Sequence, residues 1–197
     1  RVLLVASGKG GVGKSTLTAN LAASLAEPGR RVLCIDGDLQ MRNLDILLGL
    51  SDQVLFDLQD IFLARCDFDK ACVRHPEHPN LFLLSAPVVL SEDPYDLYGF
   101  IRRLAEEKRP EFDFVFIDCP SGSGDYLEVL VHRGVDVLVV VTPEPAAMRD
   151  AERTAAIAAG QGGTTRLIIN RVRKTLVNRG VLPDMDDTID ACEVRLI

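Results

Sequence analysis

The sequence has no tryptophan, no closely spaced cysteine pair and no excess of positive charge. Its formal net charge is −7, which disfavours non-specific binding to the phosphates of nucleic acids. No apolar run approaches the roughly 18 residues that would cross a bilayer. An apolar content of 47% with 26% charged residues is typical of a folded protein rather than a disordered one.

The five cysteines are an odd number and include no CxxC pair, which favours free thiols in a reducing, cytoplasmic setting over a disulfide framework. The length suits a single domain over residues 1–197. Arg1 lies inside one apolar run and Ile197 inside another, so we expect both ends of the domain to be truncated.

Apolar runs alternate with stretches of helical spacing along the whole chain, and Pro28-Gly29 ends the first helix. Runs that are apolar on both faces predict an α/β fold, with a mostly parallel sheet covered by helices on both faces (three layers, α/β/α). We expect Leu63–Pro79 to be an irregular surface segment. The predicted strands are Arg1–Ala6, Arg31–Ile35, Asn80–Ser85, Asp113–Ile117, Val135–Val141 and Arg166–Ile169, and the later predicted helices are Asp93–Lys108, Asp125–Arg133 and Pro145–Ala159.

A glycine-rich stretch joins the first predicted strand to the first predicted helix. Gly8-x-x-x-x-Gly13-Lys14-Ser15 has the Walker A spacing in the strand-to-helix context that this motif requires. Glycines let main-chain N–H groups approach phosphate oxygens, and the helix N-terminus adds the positive end of its dipole. The pattern predicts a P-loop that binds a nucleotide through Gly8, Lys9, Gly10, Gly11, Val12, Gly13, Lys14, Ser15 and Thr16.

Acidic residues follow two further predicted strands. Asp36 and Asp38 follow the second strand, and Asp118 follows the run Phe114–Ile117 in a Walker B arrangement. We expect Ser15, Asp36 and Asp118 to hold Mg²⁺, directly or through water, because ligands collect beyond the carboxyl ends of parallel strands. Turn-forming or helix-capping roles are the alternative for the three aspartates.

The base is expected to be adenine. The sequence has no Asn-Lys-x-Asp run, which a guanine-specific site of this class would carry. Instead, Asn170-Arg171 closes a late strand, where the amide can pair with the adenine edge and the guanidinium can stack on the ring. ATP and ADP are therefore the predicted ligands, together with Mg²⁺.

Lys9 is a second lysine early in the loop, and it makes the loop similar to that of one family of ATPases. The sequence KGGVGKST (9–16) resembles the deviant Walker A loop of the MinD/ParA family of ATPases. The stretches MRNLD (41–45), Thr142-Pro143-Glu144 with RDAER (149–153), and INRVR (169–173) are similar to the MinD branch in particular. After Asp118, the chain reads CPSGSG (119–124) and lacks the acidic residue that the family usually has there.

The resemblance implies an ATPase that cycles between a monomer and an ATP-bound homodimer, and that positions the division site or similar cargo. By the same resemblance, Lys9 reaches the phosphates of the partner subunit and Asp38 orients the attacking water. Lys9, Lys14 and Asp38 are then the expected catalytic residues. It also implies a protein activator or effector, and a location at the inner face of the cell membrane through a helix beyond Ile197.

Two other functions stay open at this point. A ParA-type partition ATPase would bind DNA, but the overall acidity makes DNA an unlikely partner. An electron-transfer ATPase similar to the nitrogenase iron protein would need cysteines that converge on a cluster, and the position of Cys119 does not match that family. Separately, Cys72-x-x-His75-x-x-His78, with Cys66 nearby, has metal-like spacing, but a surface loop interrupted by proline is the favoured interpretation.

Overall fold

The computed structural model describes residues 1–27, 29–122 and 124–196. Three positions that the sequence interpretation used lie outside this range. They are Pro28 of the predicted helix stop, Ser123 of the stretch after Asp118, and Ile197 in the last apolar run.

Seven strands in the described residues form one sheet. They are β1 (Val2–Ser7), β2 (Val32–Asp36), β3 (Val73–Arg74), β4 (Leu81–Leu84), β5 (Phe114–Ser121), β6 (Asp136–Val141) and β7 (Thr164–Ile169). Their order across the sheet is β3-β4-β2-β5-β1-β6-β7. β2 runs parallel to β4 and β5, and β6 runs parallel to β7, whereas β3 pairs antiparallel with β4. The predicted α/β fold with a mostly parallel sheet is confirmed.

The helices of the described residues include the four that the sequence predicted and several short ones that it did not. They are α1 (Lys14–Ala26), α2 (Leu44–Leu47), α3 (Leu58–Phe62), α4 (Phe68–Ala71), α5 (Pro94–Lys108), α6 (Tyr126–Leu130), α7 (Pro145–Gly160), α8 (Lys174–Val177) and α9 (Met185–Cys192), with a 3-10 helix at Ser51–Gln53. The predicted helix Asp125–Arg133 is too long, because Val131 already has extended backbone angles. The unpredicted helices α2, α3, α4 and α8 have only four or five residues, which is too short for a clear periodic pattern, and the eight-residue α9 was also missed.

The prediction of an irregular segment at Leu63–Pro79 is wrong in part. Asp67 caps α4 by accepting a hydrogen bond from the main-chain N–H of Lys70, at 3.1 Å. β3 then pairs with β4, with Val73 opposite Leu83. The apolar pattern missed β3 because a two-residue edge strand has no alternation to detect.

The chain divides into two compact units. Unit 1 comprises Arg1–Leu3 and Ser15–Pro120, and unit 2 comprises Leu4–Lys14 and Ser121–Ile197. In unit 1, every residue of β2 is buried, which explains why this strand reads as a continuous apolar run. In unit 2, β6 is buried from Val137 to Val141 and packs against α7. The single domain over residues 1–197 stays a prediction.

No helix in the described part of the chain is long and apolar enough to span a bilayer.

The buried centre of β2 gives a direct test of the core. Leu33 is fully buried and lies between Phe82 of β4 and Val115 of β5 in the strand register. Leu33→Ala is expected to lower the free energy of unfolding by about 2–5 kcal/mol, because it removes apolar contacts and leaves a cavity. Urea denaturation followed by circular dichroism measures the change. Leu55→Ala, at a side chain that is exposed, is the matched control and should change the free energy little.

Candidate nucleotide-binding site

Residues 8–13 connect β1 to α1, so the predicted P-loop lies in the structural context that its motif requires. Gly13 has a φ of +100°, and a Cβ atom there would lie 2.5 Å from Nδ2 of Asn170. A Cβ atom at Gly8 would collide with the backbone and the Cβ atom of Asp150. Both positions therefore exclude a side chain, Gly13 through its backbone angle and its neighbour, Gly8 through its neighbour alone.

Hydrogen bonds within unit 2 hold the loop in this shape. The Ser7 hydroxyl donates to the carbonyl oxygen of Lys9 at 2.8 Å, and the Asn170 amide donates to the carbonyl oxygen of Val12, also at 2.8 Å. The main-chain N–H of Gly122 donates to the carbonyl oxygen of Ser7 at 3.0 Å. Within the loop, these bonds occupy carbonyl oxygens, which are not the groups that bind a phosphate.

Asn170 has a contact that the sequence did not predict. Besides its bond to Val12, its Oδ1 atom accepts a hydrogen bond from the main-chain N–H of Arg171 at 2.9 Å. Asn170 and Val12 are 158 positions apart, so no local pattern could have paired them. Asn170 thus positions the loop, while its predicted contact with adenine stays a prediction. Arg171 is exposed and has a φ of +57°.

Lys14 is the first residue of α1 and is only 7% exposed. Burial of an ammonium group is costly, and a cation at the N-terminal end of a helix is also opposed by the helix dipole. An anionic ligand at this point offsets both costs. The position and burial of Lys14 therefore fit the phosphate-binding role that the motif predicts.

Two buried carboxylates of unit 1 lie side by side at the predicted metal site. Asp36 and Asp118 are register partners on β2 and β5, and both are buried. The Thr18 hydroxyl donates to Oδ1 of Asp118 at 3.1 Å. Burial, and the charge of Asp118 beside it, raise the pKa of Asp36 to about 7, against the opposing effect of two main-chain N–H donors. A cation at this point relieves the repulsion between the carboxylates, so the residues fit Mg²⁺.

The structure corrects one detail of this site and adds one residue. The sequence placed Asp36 and Asp118 after their strands, but Asp36 is the last residue of β2 and β5 continues through Asp118 to Ser121. Asp118 still pairs with Asp36 in the sheet, so its polar side chain does not end the strand. Thr18 was not predicted, although it lies three residues after Ser15, on the same side of α1.

Asp36 and Asp38 also shape the turn that follows β2. Asp36 accepts hydrogen bonds from the main-chain N–H groups of Asp38 (3.1 Å) and Leu44 (3.0 Å). Asp38 accepts from the N–H groups of Gln40 (3.3 Å) and Met41 (3.1 Å). The turn-forming role that the sequence left open is therefore present for both residues. Their roles with metal and water stay predictions.

Lys9 forms an ion pair within its own chain. Its Nζ atom lies 2.7 Å from Oε2 of Glu144, and both side chains are exposed. The hydrogen bond from Lys9, followed by the positive charge of Lys9, lowers the pKa of Glu144. In the sequence, Glu144 stood out only as part of a family motif. Apart from its charge, nothing in the sequence indicated that it pairs with Lys9.

The segment with metal-like spacing has another structural role. Nδ1 of His75 accepts hydrogen bonds from the main-chain N–H groups of Glu77 and His78, each at 3.1 Å, and Nε2 lies 3.1 Å from the carbonyl oxygen of Leu48. Both ring nitrogens are therefore engaged with the main chain. Among the described residues, no group of three His, Cys, Asp or Glu side chains is arranged to hold a metal ion.

Comparisons with known proteins agree with this geometry. The protein-family model described as "ParA: NUBPL iron-transfer P-loop NTPase" matches residues 1–170 of this chain. The septum site-determining protein MinD of Synechocystis sp. is 38% identical over 100% of this chain, which covers 74% of that protein. MinD of Bacillus subtilis is 34% identical over 99% of the chain and is covered to the same extent.

Two solved structures extend the likeness to three dimensions. The MinC:MinD cell division complex of Aquifex aeolicus matches with a TM-score of 0.86 at 31% identity, over 100% of this chain and 79% of that chain. MinD of Pyrococcus horikoshii complexed with Mg-ADP matches with a TM-score of 0.85 at 27% identity, with the same coverage. The chain belongs to the MinD branch of the ParA family.

Three of the five cysteines of this MinD-like chain are too deeply buried to serve the electron-transfer alternative, whereas Cys66 and Cys72 are half-buried. Cys34 and Cys119 are fully buried, and burial raises the pKa of the Cys34 thiol far above its usual range. A thiol buried inside one subunit cannot converge on a cluster shared with another. Cys192 is also buried, and its thiol donates to the carbonyl oxygen of Met148.

The raised pKa of Asp36 predicts a pH dependence of stability in the metal-free MinD-like chain. Its pKa of about 7 in the folded state exceeds its ordinary value of 3.8, so the folded state binds more protons between these values. The contribution of Asp36 to the free energy of unfolding therefore falls as the pH rises from about 4 to about 7. Asp36→Asn should flatten this part of the profile, because an amide does not titrate.

Urea denaturation with EDTA, at a series of pH values across this window, measures the effect. Asp52→Asn, at an exposed aspartate of the 3-10 helix, is the control and should keep the wild-type profile. A profile as steep in Asp36→Asn as in the wild type would contradict the assignment.

Proposed function

We propose that this MinD-like ATPase binds ATP with Mg²⁺, dimerises in the ATP-bound state and hydrolyses ATP slowly, as a switch for placing the division site or similar cargo. The observation that carries the proposal is the backbone of residues 8–13. This loop requires glycine at Gly13, is fixed through its carbonyl oxygens, and leads directly to buried Lys14 at the start of a 13-residue helix.

The residues of this chain have separate roles in binding ATP and Mg²⁺. Main-chain N–H groups of residues 8–13 bind the phosphate oxygens, and Lys14 binds the β- and γ-phosphates. Ser15 and the buried pair Asp36 and Asp118 hold Mg²⁺, the carboxylates through water. The bound cation neutralises charge on the phosphate oxygens. Asp38 orients the attacking water, and Asn170 with Arg171 binds the adenine.

Lys9 provides the link between hydrolysis and dimerisation. Its side chain is exposed on the monomer surface, and it is paired there with the equally exposed Glu144. An exposed ion pair is worth little in free energy, so the pairing is easily exchanged for a phosphate of a second subunit. A cation delivered in trans stabilises the charge on the transferring phosphoryl group, as an arginine finger does.

The relatives indicate the setting of this switch. The Aquifex aeolicus relative is in a complex with MinC, and the Pyrococcus horikoshii relative is complexed with Mg-ADP. On this basis the proposal includes a protein effector for the present chain and Mg-bound adenine nucleotide as its ligand. A peripheral location at the inner face of the cell membrane is part of the proposal through the family resemblance alone.

Replacement of Lys9 separates nucleotide binding from hydrolysis. Lys9→Ala should leave Mg·ATP affinity nearly unchanged, because Lys14 and the loop remain, and should reduce steady-state ATP hydrolysis by about a thousandfold or more. Calorimetry and phosphate release measure the two quantities. Lys70→Ala, at an exposed lysine of α4, is the matched control and should hydrolyse ATP like the wild type. Normal turnover in Lys9→Ala would refute the role in trans.

Replacement of Asp38 should trap the ATP-bound dimer. Asp38→Ala is expected to bind ATP but not orient the attacking water, so a stable dimer accumulates on size-exclusion chromatography with ATP. Asp38→Asn removes the charge but keeps an oxygen that can accept the hydrogen bonds of the turn. Because the negative charge is what orients the attacking water, this variant should also accumulate as a dimer. Lys14→Ala should stay monomeric. Monomeric Asp38→Ala and Asp38→Asn at saturating ATP would contradict the assignment.

A further inference from the structure

Thr18 is a fully buried polar residue of α1. Its hydroxyl donates a hydrogen bond to Oδ1 of Asp118 at 3.1 Å, across 100 positions of sequence. Thr154 on α7 and Thr188 on α9 are buried to the same extent. Their hydroxyls donate to main-chain carbonyl oxygens four residues earlier in the same helix, a common bond of helical threonines. Thr18 has a partner of another kind, a carboxylate on a different element.

Asp118 and its register partner Asp36 are each held by hydrogen-bond donors. Asp36 accepts from the main-chain N–H groups of Asp38 and Leu44, at 3.1 Å and 3.0 Å. Asp118 accepts from the side chain of Thr18. A hydrogen bond to a carboxylate is directional, so it restricts rotation of the carboxylate about its Cβ–Cγ bond. Thr18 therefore helps to set the direction in which Asp118 presents its oxygens.

The same hydrogen bond connects α1 to β5 within unit 1. Ser15 lies three residues before Thr18, on the same side of α1. The bond thus sets the separation between the helix that carries Ser15 and the strand that carries Asp118. Mg²⁺ requires a nearly ideal octahedron of oxygen ligands at about 2.0–2.1 Å. A small shift of Asp118 relative to α1 is therefore expected to weaken binding of this ion.

We propose that Thr18 is a positioning residue of the Mg²⁺ site. Its hydroxyl holds the carboxylate of Asp118 in the orientation that binds the water ligands of the metal, and Thr18 itself touches neither metal nor nucleotide. This inference rests on the proposed function, which assigns Mg²⁺ to Ser15, Asp36 and Asp118. Removing a hydrogen-bond partner from behind a metal ligand typically weakens metal binding by about 10–100-fold. If Thr18 only satisfied a buried polar group, its loss would lower stability and leave metal affinity unchanged.

Binding of Mn²⁺ to the whole chain in the presence of ADP tests the proposal. Mn²⁺ takes the same oxygen ligands as Mg²⁺, and the electron paramagnetic resonance signal of free Mn²⁺ falls on binding, which gives its Kd. Thr18→Val keeps the branched shape but removes the donor, so it should raise this Kd about tenfold or more. Thr18→Ser keeps the donor and should bind Mn²⁺ like the wild type. Calorimetry with EDTA should give one ADP affinity for all three, because the P-loop is unchanged.

Thr188→Val is the matched control, because it also removes a fully buried hydroxyl from a helix. It should lower the free energy of unfolding, as Thr18→Val does, without changing the Kd of Mn²⁺. Circular dichroism verifies that each variant is folded. Thr18→Ala is a second variant without a hydroxyl, and alanine is the best helix former. It should show the same loss of Mn²⁺ affinity, and it replaces Thr18→Val in the comparison if that variant does not fold.

Three outcomes would overturn the proposal while leaving the proposed function intact. They are an equal Kd of Mn²⁺ in the wild type and the variants without the hydroxyl, a loss as large in Thr18→Ser as in Thr18→Val, and an equal loss in Thr188→Val. Failure of the proposed function has a different signature. The wild-type chain with ADP would then bind no Mn²⁺, and the role of Thr18 would be refuted together with the metal site.

Discussion

The close packing of neighbouring residues against the backbone of residues 8–13 is the constraint on which the site depends. A phosphate-binding loop must present N–H groups, and this is possible only where no Cβ atom intervenes. Gly13 meets Asn170, and Gly8 meets Asp150, at separations that leave no room for a side chain. Because Asn170 also donates to the carbonyl oxygen of Val12, the end of β7 sets the shape of a loop that begins at the end of β1.

The electrostatics of unit 1 depend on a second constraint, which is strand register. Asp36 and Asp118 come together because β2 and β5 are parallel and in register at these two residues. Burying two carboxylates side by side is unfavourable, and the pKa of about 7 at Asp36 expresses this cost. The main-chain N–H groups of Asp38 and Leu44 offset part of it. The same bonds connect Asp36 to α2, so a change at the carboxylates has a direct route to the following segment.

Two residues near the phosphate-binding loop are exposed rather than buried. Lys9 and Glu144 lie on the surface of unit 2, where a weak ion pair can open without disturbing the fold. The side chains of both residues contribute little to stability in the monomer. Such residues are free to serve contacts with other chains.

The sequence by itself determined six of the seven strands, the main helices and the P-loop, because these depend on local patterns. The run at β2, the helical spacing of α5 and the spacing from Gly8 to Ser15 each carry their information within a few residues of one another. Only the tertiary structure decided the pairing of Val12 with Asn170, of Thr18 with Asp118 and of Lys9 with Glu144. These partners are a hundred or more positions apart, and each pairing is set by strand order and register, which no local pattern encodes.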